Sequence, residues 1–323
     1  MSFRTSLIPV QGAFSITHKD HLLLIGSCFT EHIGQKLETR KFNTLQNSFG
    51  IVYNPVSMAL SLKRIAKGDS QFTQEDLFEQ NGLWHSWEHH GRFSQPDPNE
   101  TLKGINAAYQ TAVDHWKRTE VLFLTLGTAE VFSLRENGQV VANNHKMPSA
   151  HFDSRRLSVS EIVAQLGQAL EGISNKQVIL TVSPVRHLRS GLIENQRSKA
   201  ALILACEELC RHLPGLSYFP AYELLQDDLR DYRFYAADMV HPSEVALEYV
   251  WQYFSETYFS EKTRQWNERI EKIQAAARHR PFHPDTEQHR AFARTQLETI
   301  DKLYKEAPEL DFSAEKAIFF GYL

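Results

Sequence analysis

The sequence predicts an α/β fold: a three-layer, doubly wound parallel sheet with β-hairpin insertions and a C-terminal helical extension. Three short apolar runs, at residues 22–26, 121–126 and 178–182, end at a glycine or at a Ser-Pro turn. Because apolar residues fill both faces of these runs, the runs are typical of central parallel strands that are covered on both sides. Helical patterns lie between the runs, and this alternation indicates a doubly wound sheet.

Helices are predicted after the first strand and between the later ones. The segment that starts at Cys28 has helical periodicity, and so does the segment from Leu102 to Trp116. Ser158 and Glu161 form a capping-box pattern, in which the two side chains satisfy each other's unpaired backbone amides. Apart from the helix at Cys28, the predicted helices cover residues 99–117, 159–173, 197–212 and 244–258.

Two stretches interrupt the alternation and are predicted to be β insertions near the edge of the sheet. Residues 82–94 are rich in Trp and His, and residues 131–141 contain Glu-Asn-Gly, which favours a type I′ hairpin. After about residue 260 the strand patterns stop, and two helices are predicted at 261–278 and 285–305. We therefore divide the chain into a main domain, 1–260, and a helical appendage packed on it, 261–323.

Composition and charge exclude several classes of protein. The chain has 323 residues, with 35 Lys and Arg against 39 Asp and Glu, so it lacks the excess of positive charge that binds nucleic acid. The N-terminus has no apolar signal segment, and no stretch approaches the roughly 20 apolar residues of a membrane span. Three cysteines are too few for a disulfide framework. We expect a cytoplasmic protein.

Cys28 is the first candidate for chemistry, because it follows the first predicted strand at the start of a helix. Open α/β sheets bind ligands at this edge. A helix N-terminus favours negative charge, so the pKa of a thiol there is expected to be lowered. The alternative is that Cys28 is a buried, inert cysteine.

Asp238 and His241 form the second candidate, in an Asp-x-x-His pattern just before the last predicted helix of the main domain. A carboxylate at this spacing can orient an imidazole and fix its tautomer, so that the second ring nitrogen accepts a proton from a nucleophile. The alternative is that Asp238 merely caps a turn.

An early nucleophile and a late Asp-x-x-His together resemble the SGNH/GDSL hydrolase superfamily. Within it, the residues of the first motif resemble those of the GSCFA family, and the resemblance spans about residues 20–260. It implies an SGNH, flavodoxin-like fold. The stretches that carry it are Gly26-Ser27-Cys28-Phe29-Thr30, Asn47-Ser48-Phe49-Gly50-Ile51-Val52-Tyr53-Asn54-Pro55, Leu126-Gly127-Thr128-Ala129-Glu130-Val131, Ser183-Pro184-Val185-Arg186-His187 and Asp238-Met239-Val240-His241-Pro242.

The resemblance implies roles for particular residues. The superfamily's serine falls on Cys28, which makes Cys28 the nucleophile, with Ser27 as the alternative. Gly50 corresponds to the second-block glycine, whose backbone N–H serves an oxyanion hole. The third block lacks its asparagine, because the chain reads Gly127-Thr128-Ala129. Replacements for that donor are the amides of Cys28 and Gly50 or the side chains of Thr128, Asn143 and Arg186. Gly50 and Gly127 fit tight turns equally well.

Other polar clusters have competing interpretations. In an extended strand His85, Trp87 and His89 would share one face, which allows a metal site, but a pocket wall or a polar surface fits as well. Arg186 either clamps a substrate carboxylate or phosphate, or pairs with a structural acid. Cys206 and Cys210 share a helical face and fit core packing. We predict no metal and no cofactor.

The function expected from these residues is an SGNH-like hydrolase or acyltransferase that acts on an ester or thioester through a covalent acyl-enzyme. The substrate would be a small or lipid-like molecule. His241 would deprotonate Cys28, Asp238 would orient His241, and backbone amides would stabilise the oxyanion. The alternative is an SGNH scaffold that binds a small molecule without catalysis. A metal-dependent hydrolase that uses His85 and His89 is a third hypothesis.

Overall fold

The computed structural model of the chain describes residues 4–173 and 175–323. The strands are β1 His21–Gly26, β2 Asn43–Gln46, β3 Phe78–Gln80, β4 Leu83–His85, β5 Thr119–Leu126, β6 Glu130–Leu134, β7 Val140–Val141, β8 Phe152–Arg156, β9 Gln177–Val182 and β10 Leu216–Phe219. The helices are α1 Cys28–Thr39, α2 Pro55–Lys67, α3 Pro98–Trp116, α4 Val159–Glu171, α5 Gly191–His212, α6 Ala221–Glu223, α7 Glu244–Tyr258, α8 Glu261–Arg278, α9 Glu287–Glu306 and α10 Ser313–Phe320.

Five parallel strands form the central sheet, in the order β10-β9-β5-β1-β2. The three apolar runs identified in the sequence are its three inner strands, β1, β5 and β9. Because all five strands run the same way, the segments that follow them emerge at one edge of the sheet. Cys28 follows β1, Gly127 follows β5 and Ser183 follows β9, so these segments meet at that edge.

Helices cover both faces of the sheet. Alternate strand residues such as Leu23 and Leu124 pack into one apolar cluster with residues of α2, α3, α4 and α5. Their neighbours Leu24 and Phe123 pack into a second cluster with residues of α1 and α7. The predicted α/β class, with a parallel central sheet between helical layers, is therefore confirmed. Within the described ranges, no helix has the length and apolarity that crossing a bilayer requires.

Several elements lie outside the sequence-based prediction. The edge strands β2 and β10 are short and mostly half-buried, so they lack the apolar runs of the inner strands. Helix α2 has its own start signal, because Asn54 caps it and Pro55 occupies its first turn. Helix α5 begins six residues before the predicted start at 197. Its first turn carries the exposed side chains of Leu192 and Ile193, so no buried stripe marks it.

The two insertions differ in detail from the prediction. The first is a hairpin of β3 and β4 that turns at Asn81-Gly82, where both residues have positive φ angles of 54° and 76°. It thus lies before most of the predicted 82–94 stretch. The second contains the predicted β6–β7 hairpin, and β8 adds a third antiparallel strand, in the order β7-β6-β8.

The C-terminal segment contains three helices, where two were predicted. Helices α8, α9 and α10 surround an apolar cluster of their own. Polar contacts join them to the main domain: the Lys41 Nζ lies 2.9 Å from the Glu315 Oε1, and the His18 Nε2 lies 3.1 Å from the Asn267 Oδ1. Helix α10 spans only eight residues, and its short apolar pattern was missed in the sequence.

His89 makes the stability of this fold sensitive to pH. Its imidazole lies 4.7 Å from the rings of both Phe49 and Phe72, and burial lowers its pKa from 6.5 to about 3. Between pH 6.5 and pH 5 the unfolded chain takes up a proton at His89 that the folded protein does not. We expect the free energy of unfolding to fall by about 2 kcal/mol over this range through His89.

Urea unfolding of the wild type and of His89→Gln at several pH values measures this contribution. The variant is expected to lose less stability on acidification. His279→Gln, which changes an exposed residue at the end of α8, should retain the wild-type pH dependence. If the free energy of unfolding changed with pH equally in the wild type and in His89→Gln, the prediction would be contradicted.

Candidate functional site

The turn that presents Cys28 is tightly constrained by its neighbours. The Gly26 N–H donates to the Asn47 Oδ1 at 2.9 Å, and the Ser27 N–H donates to the Thr125 carbonyl oxygen at 3.2 Å. The Val52 N–H donates to the Gly26 carbonyl oxygen at 3.0 Å. Ser27 is the N-cap of α1, and Cys28 is the first residue of that helix.

Cys28 and Ser27 differ in their access to solvent. Ser27 is completely buried, and its Oγ has no hydrogen-bond partner in the described part of the chain. Cys28 is half-buried, at the first position of α1. The geometry therefore favours Cys28 over Ser27 as the group that a substrate can reach.

The pKa of the Cys28 thiol is raised, which is opposite to the sequence-based expectation. Burial is the main cause, and the nearby Glu31 carboxylate adds to it. The helix N-terminal amides and the charge of Lys199 act in the other direction but do not outweigh burial. The prediction of a lowered pKa was wrong because it counted the helix terminus and left out desolvation.

The three thiols are expected to react with iodoacetamide in the order Cys28, Cys210, Cys206. Burial raises the pKa of Cys210 to about 11, and it raises the pKa of Cys206, which is fully buried and out of reach of the reagent, well above its usual value. Since only the thiolate reacts, the rate at Cys28 should still be rising at pH 9.

Peptide mapping by mass spectrometry, after timed alkylation from pH 6 to pH 10, gives the three rates separately. A rate at Cys28 that is already maximal at pH 7 would contradict the raised pKa.

Asp238 and His241 form the expected pair, and Asp238 also caps the turn. The His241 Nδ1 lies 2.6 Å from the Asp238 Oδ2, while the Oδ1 accepts the N–H groups of Val240 and His241 at 2.9 and 3.0 Å. These bonds hold the pKa of Asp238 at about 2. The His241 Nε2 has no hydrogen-bond partner among residues 4–173 and 175–323, and its side chain is 44% exposed.

Arg186 holds the loop that carries this pair. Its backbone N–H donates to the Val240 carbonyl oxygen at 3.2 Å, and its guanidinium donates to the Met239 carbonyl oxygen at 3.0 Å. The guanidinium also lies 3.9 Å from the centre of the Tyr235 ring. No carboxylate pairs with Arg186 in the described ranges. The alternative of a structural acidic partner is therefore wrong, since backbone and aromatic groups take that place.

The Cys28 and His241 motifs meet at the same edge of the sheet. Cys28 and Val240 both pack against one apolar cluster. His32 lies on the helix that begins at Cys28, and its pKa is lowered mainly by burial and in part by the proximity of His241. No hydrogen bond joins the Cys28 Sγ to His241 within the part of the chain that the structure describes.

Most of the proposed oxyanion donors already have partners. The Gly50 N–H donates to the Asn47 carbonyl oxygen at 2.7 Å, and the N–H groups of Gly127 and Thr128 donate to the Tyr53 carbonyl oxygen at 2.9 and 3.1 Å. The Thr128 Oγ1 lies 3.1 Å from the Ser198 Oγ. These contacts support the turn interpretation of both glycines.

The backbone N–H groups of Cys28 and Phe29, at the start of α1, favour the thiolate of Cys28 and act to lower its pKa.

A cavity of about 300 Å³ lies beside this edge of the sheet. Tyr53 lines the cavity, and the nearby Cys28 contributes to a raised pKa of the Tyr53 hydroxyl, for which burial is the main cause. Asn143 is also in its wall; its Oδ1 accepts the His145 N–H at 2.9 Å. The lining residues are Tyr53, Asn54, Thr128, Glu130, Phe132, Val141, Ala142, Asn143, Asn144, His187 and Arg189. Tyr53 and Glu130 were not predicted to be site residues, although both lie in motif stretches.

His187 is a further polar group in the cavity wall. Its ring stands edge-on to the Tyr53 ring at 5.2 Å, and its buried Nε2 has no partner in the described ranges. Burial, with the charges of Lys199 and His241, lowers the pKa of His187 to about 4. The His187 imidazole is therefore neutral at pH 7.

The arrangement behind the metal hypothesis is absent from the structure, because β4 ends at His85. The His85 Nδ1 lies 2.6 Å from the Ser94 Oγ, and its ring lies 4.4 Å from that of His145. His89 instead packs among phenylalanine rings. The expectation that His85, Trp87 and His89 share one strand face was wrong. The described residues contain no group of three His, Cys, Asp or Glu side chains arranged to hold a metal ion.

Comparison with known proteins places the chain in a family. The GSCFA family matches residues 21–254, and a GSCFA domain protein, C-terminal domain matches residues 270–320. No curated protein matches the chain, and no solved structure matches it. The first match covers β1 to α7, including both the Cys28 turn and the Asp238–His241 pair. Since it spans most of the sequence, the chain belongs to the GSCFA family.

Proposed function

We propose that this protein is an SGNH-like hydrolase or acyltransferase that acts on an ester or thioester of a small or lipid-like molecule through an acyl-enzyme on Cys28. One observation carries the proposal: an accessible thiol at a helix N-terminus shares an edge of the sheet with an Asp–His pair and a cavity. The order of the motifs, with the nucleophile after β1 and Asp-x-x-His before α7, supports the SGNH placement.

The reaction begins with proton transfer from the Cys28 thiol to the His241 Nε2. The sulfur then forms a bond to the carbonyl carbon, and the oxyanion accepts hydrogen bonds from the amides of Cys28 and Phe29. His241 returns the proton to the leaving alcohol or thiol, which leaves a thioester on Cys28. Because no hydrogen bond joins Cys28 to His241 in this structure, the exposed imidazole must swing toward the thiol first.

Water or a second acceptor completes the cycle. A thioester is more reactive toward amines and thiols than an oxygen ester, so transfer to such an acceptor is a variant of the same mechanism. A working thiol must stay reduced, and the three cysteines are all free. These points support the proposal that the protein acts in a reducing, cytoplasmic setting.

A binding protein without catalysis is the second candidate. The raised pKa of Cys28 favours it. The N–H groups of Gly50, Gly127 and Thr128 also favour it, because they already donate to backbone carbonyl oxygens. Such a protein would hold its ligand in the cavity without forming a covalent bond.

Intact mass measurement after incubation with p-nitrophenyl butyrate tests the proposal. We expect one butyryl adduct, mapped to Cys28, because its thiol is accessible and faces the helix amides. Cys28→Ala should form no adduct, while Ser27→Ala and Cys210→Ala should form it as the wild type does. An adduct at Ser27 would show that the assigned nucleophile is wrong. Absence of an adduct in protein that binds the ester would favour the binding function.

A further inference from the structure

Lys199 is a completely buried cation beneath the candidate site. It lies on α5, and its Nζ donates to the carbonyl oxygens of Gly127 and Ser183, both at 2.7 Å. Those two residues begin the segments after β5 and β9. No carboxylate pairs with Lys199 in the described part of the chain.

A second buried lysine makes similar contacts at the opposite edge of the sheet. The Lys176 Nζ donates to the carbonyl oxygens of Trp116 and Thr119, at 3.2 and 2.6 Å, where β5 begins. The two lysines thus bind backbone oxygens at the two ends of β5. The charge of Glu120 raises the pKa of Lys176, against the effect of burial. Cys28 has the corresponding effect on the pKa of Lys199.

Burying a lone cation is costly, so an anion that forms nearby is stabilised by it. Burial lowers the pKa of Lys199 to about 7, and the Cys28 thiol opposes that shift. In return, the charge of Lys199 lowers the pKa of Cys28. His187 and Tyr222 also face Lys199, while Glu31 and Tyr53 face Cys28.

We propose that Lys199 is a positioning residue whose charge stabilises the thiolate of Cys28 while its two hydrogen bonds fix the loops after β5 and β9. The inference deepens the proposed function, since it rests on Cys28 being the working group. Lys199 does not take up the thiol proton, which goes to His241 or to solvent. Lys199 thereby supplies positive charge at a site whose third block lacks an asparagine.

The pH dependence of iodoacetamide alkylation at Cys28 tests this role without any ester. Lys199 is charged mainly below pH 7, so its effect on the thiolate fraction is largest there and fades at higher pH. Lys199→Gln, which can still donate hydrogen bonds, and Lys199→Met should both react about tenfold more slowly at pH 6.5, as expected for a one-unit change in pKa. Their rates should approach that of the wild type above pH 10.

Lys176→Met is the matched control, because it removes a buried lysine that binds two backbone oxygens but lies far from Cys28. It is expected to lose stability and keep the wild-type alkylation profile. Lys199→Arg retains the charge and should retain the rate at pH 6.5. Parallel profiles for Lys199→Gln and the wild type from pH 6 to pH 10 would overturn the proposal and leave Lys199 as a structural clamp.

The wild type provides a measurement that does not depend on a variant folding. Its alkylation profile should show a shoulder near pH 7, where Lys199 loses its charge, and the shoulder should persist in His241→Gln. A straight rise through pH 7 would contradict the proposal. If the shoulder appears but p-nitrophenyl butyrate forms no adduct at Cys28, the charge coupling stands and only the proposed enzymatic function fails.

Discussion

Replacing Gly26 with alanine is expected to destabilise the protein by about 3 kcal/mol or more. A Cβ at this position would lie 2.4 Å from the Thr125 carbonyl oxygen and 2.7 Å from both the Thr125 Cβ and the Thr30 Oγ1. The oxygen belongs to β5, which is paired on both sides and cannot move aside. The φ angle of +156° is also one that alanine rarely adopts.

Urea unfolding of Gly26→Ala and of Gly104→Ala measures this effect. Gly104 lies within α3, and an added Cβ there meets no heavy atom within 4 Å. Alanine favours helices, so the control should gain about 0.5–1 kcal/mol. A Gly26→Ala protein as stable as the wild type would show that the turn before Cys28 adapts.

In the mechanism that we propose, replacing Asp238 with asparagine is expected to lower ester turnover on the order of 10³-fold. The carboxylate accepts a hydrogen bond from the His241 Nδ1 and thereby leaves Nε2 free to accept a proton. An amide NH₂ group facing Nδ1 would favour the opposite tautomer, in which Nε2 carries the proton. Because the pKa of Asp238 is about 2, the effect should be equally large from pH 5 to pH 8.

Turnover of p-nitrophenyl butyrate by purified Asp238→Asn, with the melting temperature of the same sample, checks this prediction. Asp231→Asn is the control, since Asp231 also accepts a backbone N–H in a turn, at 2.9 Å from Arg233, but does not contact His241. It should keep turnover within about twofold, as surface changes away from a site do. Wild-type turnover in Asp238→Asn would mean that Asp238 only caps its turn.

The sequence predicts the inner elements of the fold well and the outer ones poorly. Strands β1, β5 and β9 and helix α7 lie where the patterns placed them, because they are buried and their periodicity is strong. The edge strands β2 and β10 are short and partly exposed, so they carry little pattern.

The sequence predicted that Asp238 and His241 can pair and that Cys28 starts a helix, but it did not predict the chemical state of these residues. The Asp238–His241 contact follows from a spacing of three residues in one turn. The raised pKa of Cys28 follows instead from burial by distant parts of the chain, which no local motif encodes. The turn at Gly50, whose N–H donates to the Asn47 carbonyl oxygen, was one of the predicted alternatives, whereas the Tyr53 carbonyl oxygen that accepts the Gly127 N–H is distant from Gly127 in the sequence.

By itself the sequence determined which strands are central, that Cys28 starts a helix at the end of one of them, and that Asp238 and His241 can pair. These features depend on neighbours within a few residues, so local patterns encode them. Only the tertiary structure decided that the Cys28 thiol is half-buried, that the Arg186 guanidinium binds the Met239 carbonyl oxygen, and that Lys199 is a buried lysine whose Nζ binds two backbone oxygens. Burial and electrostatics depend on groups that are distant in sequence, and only folding brings those groups together.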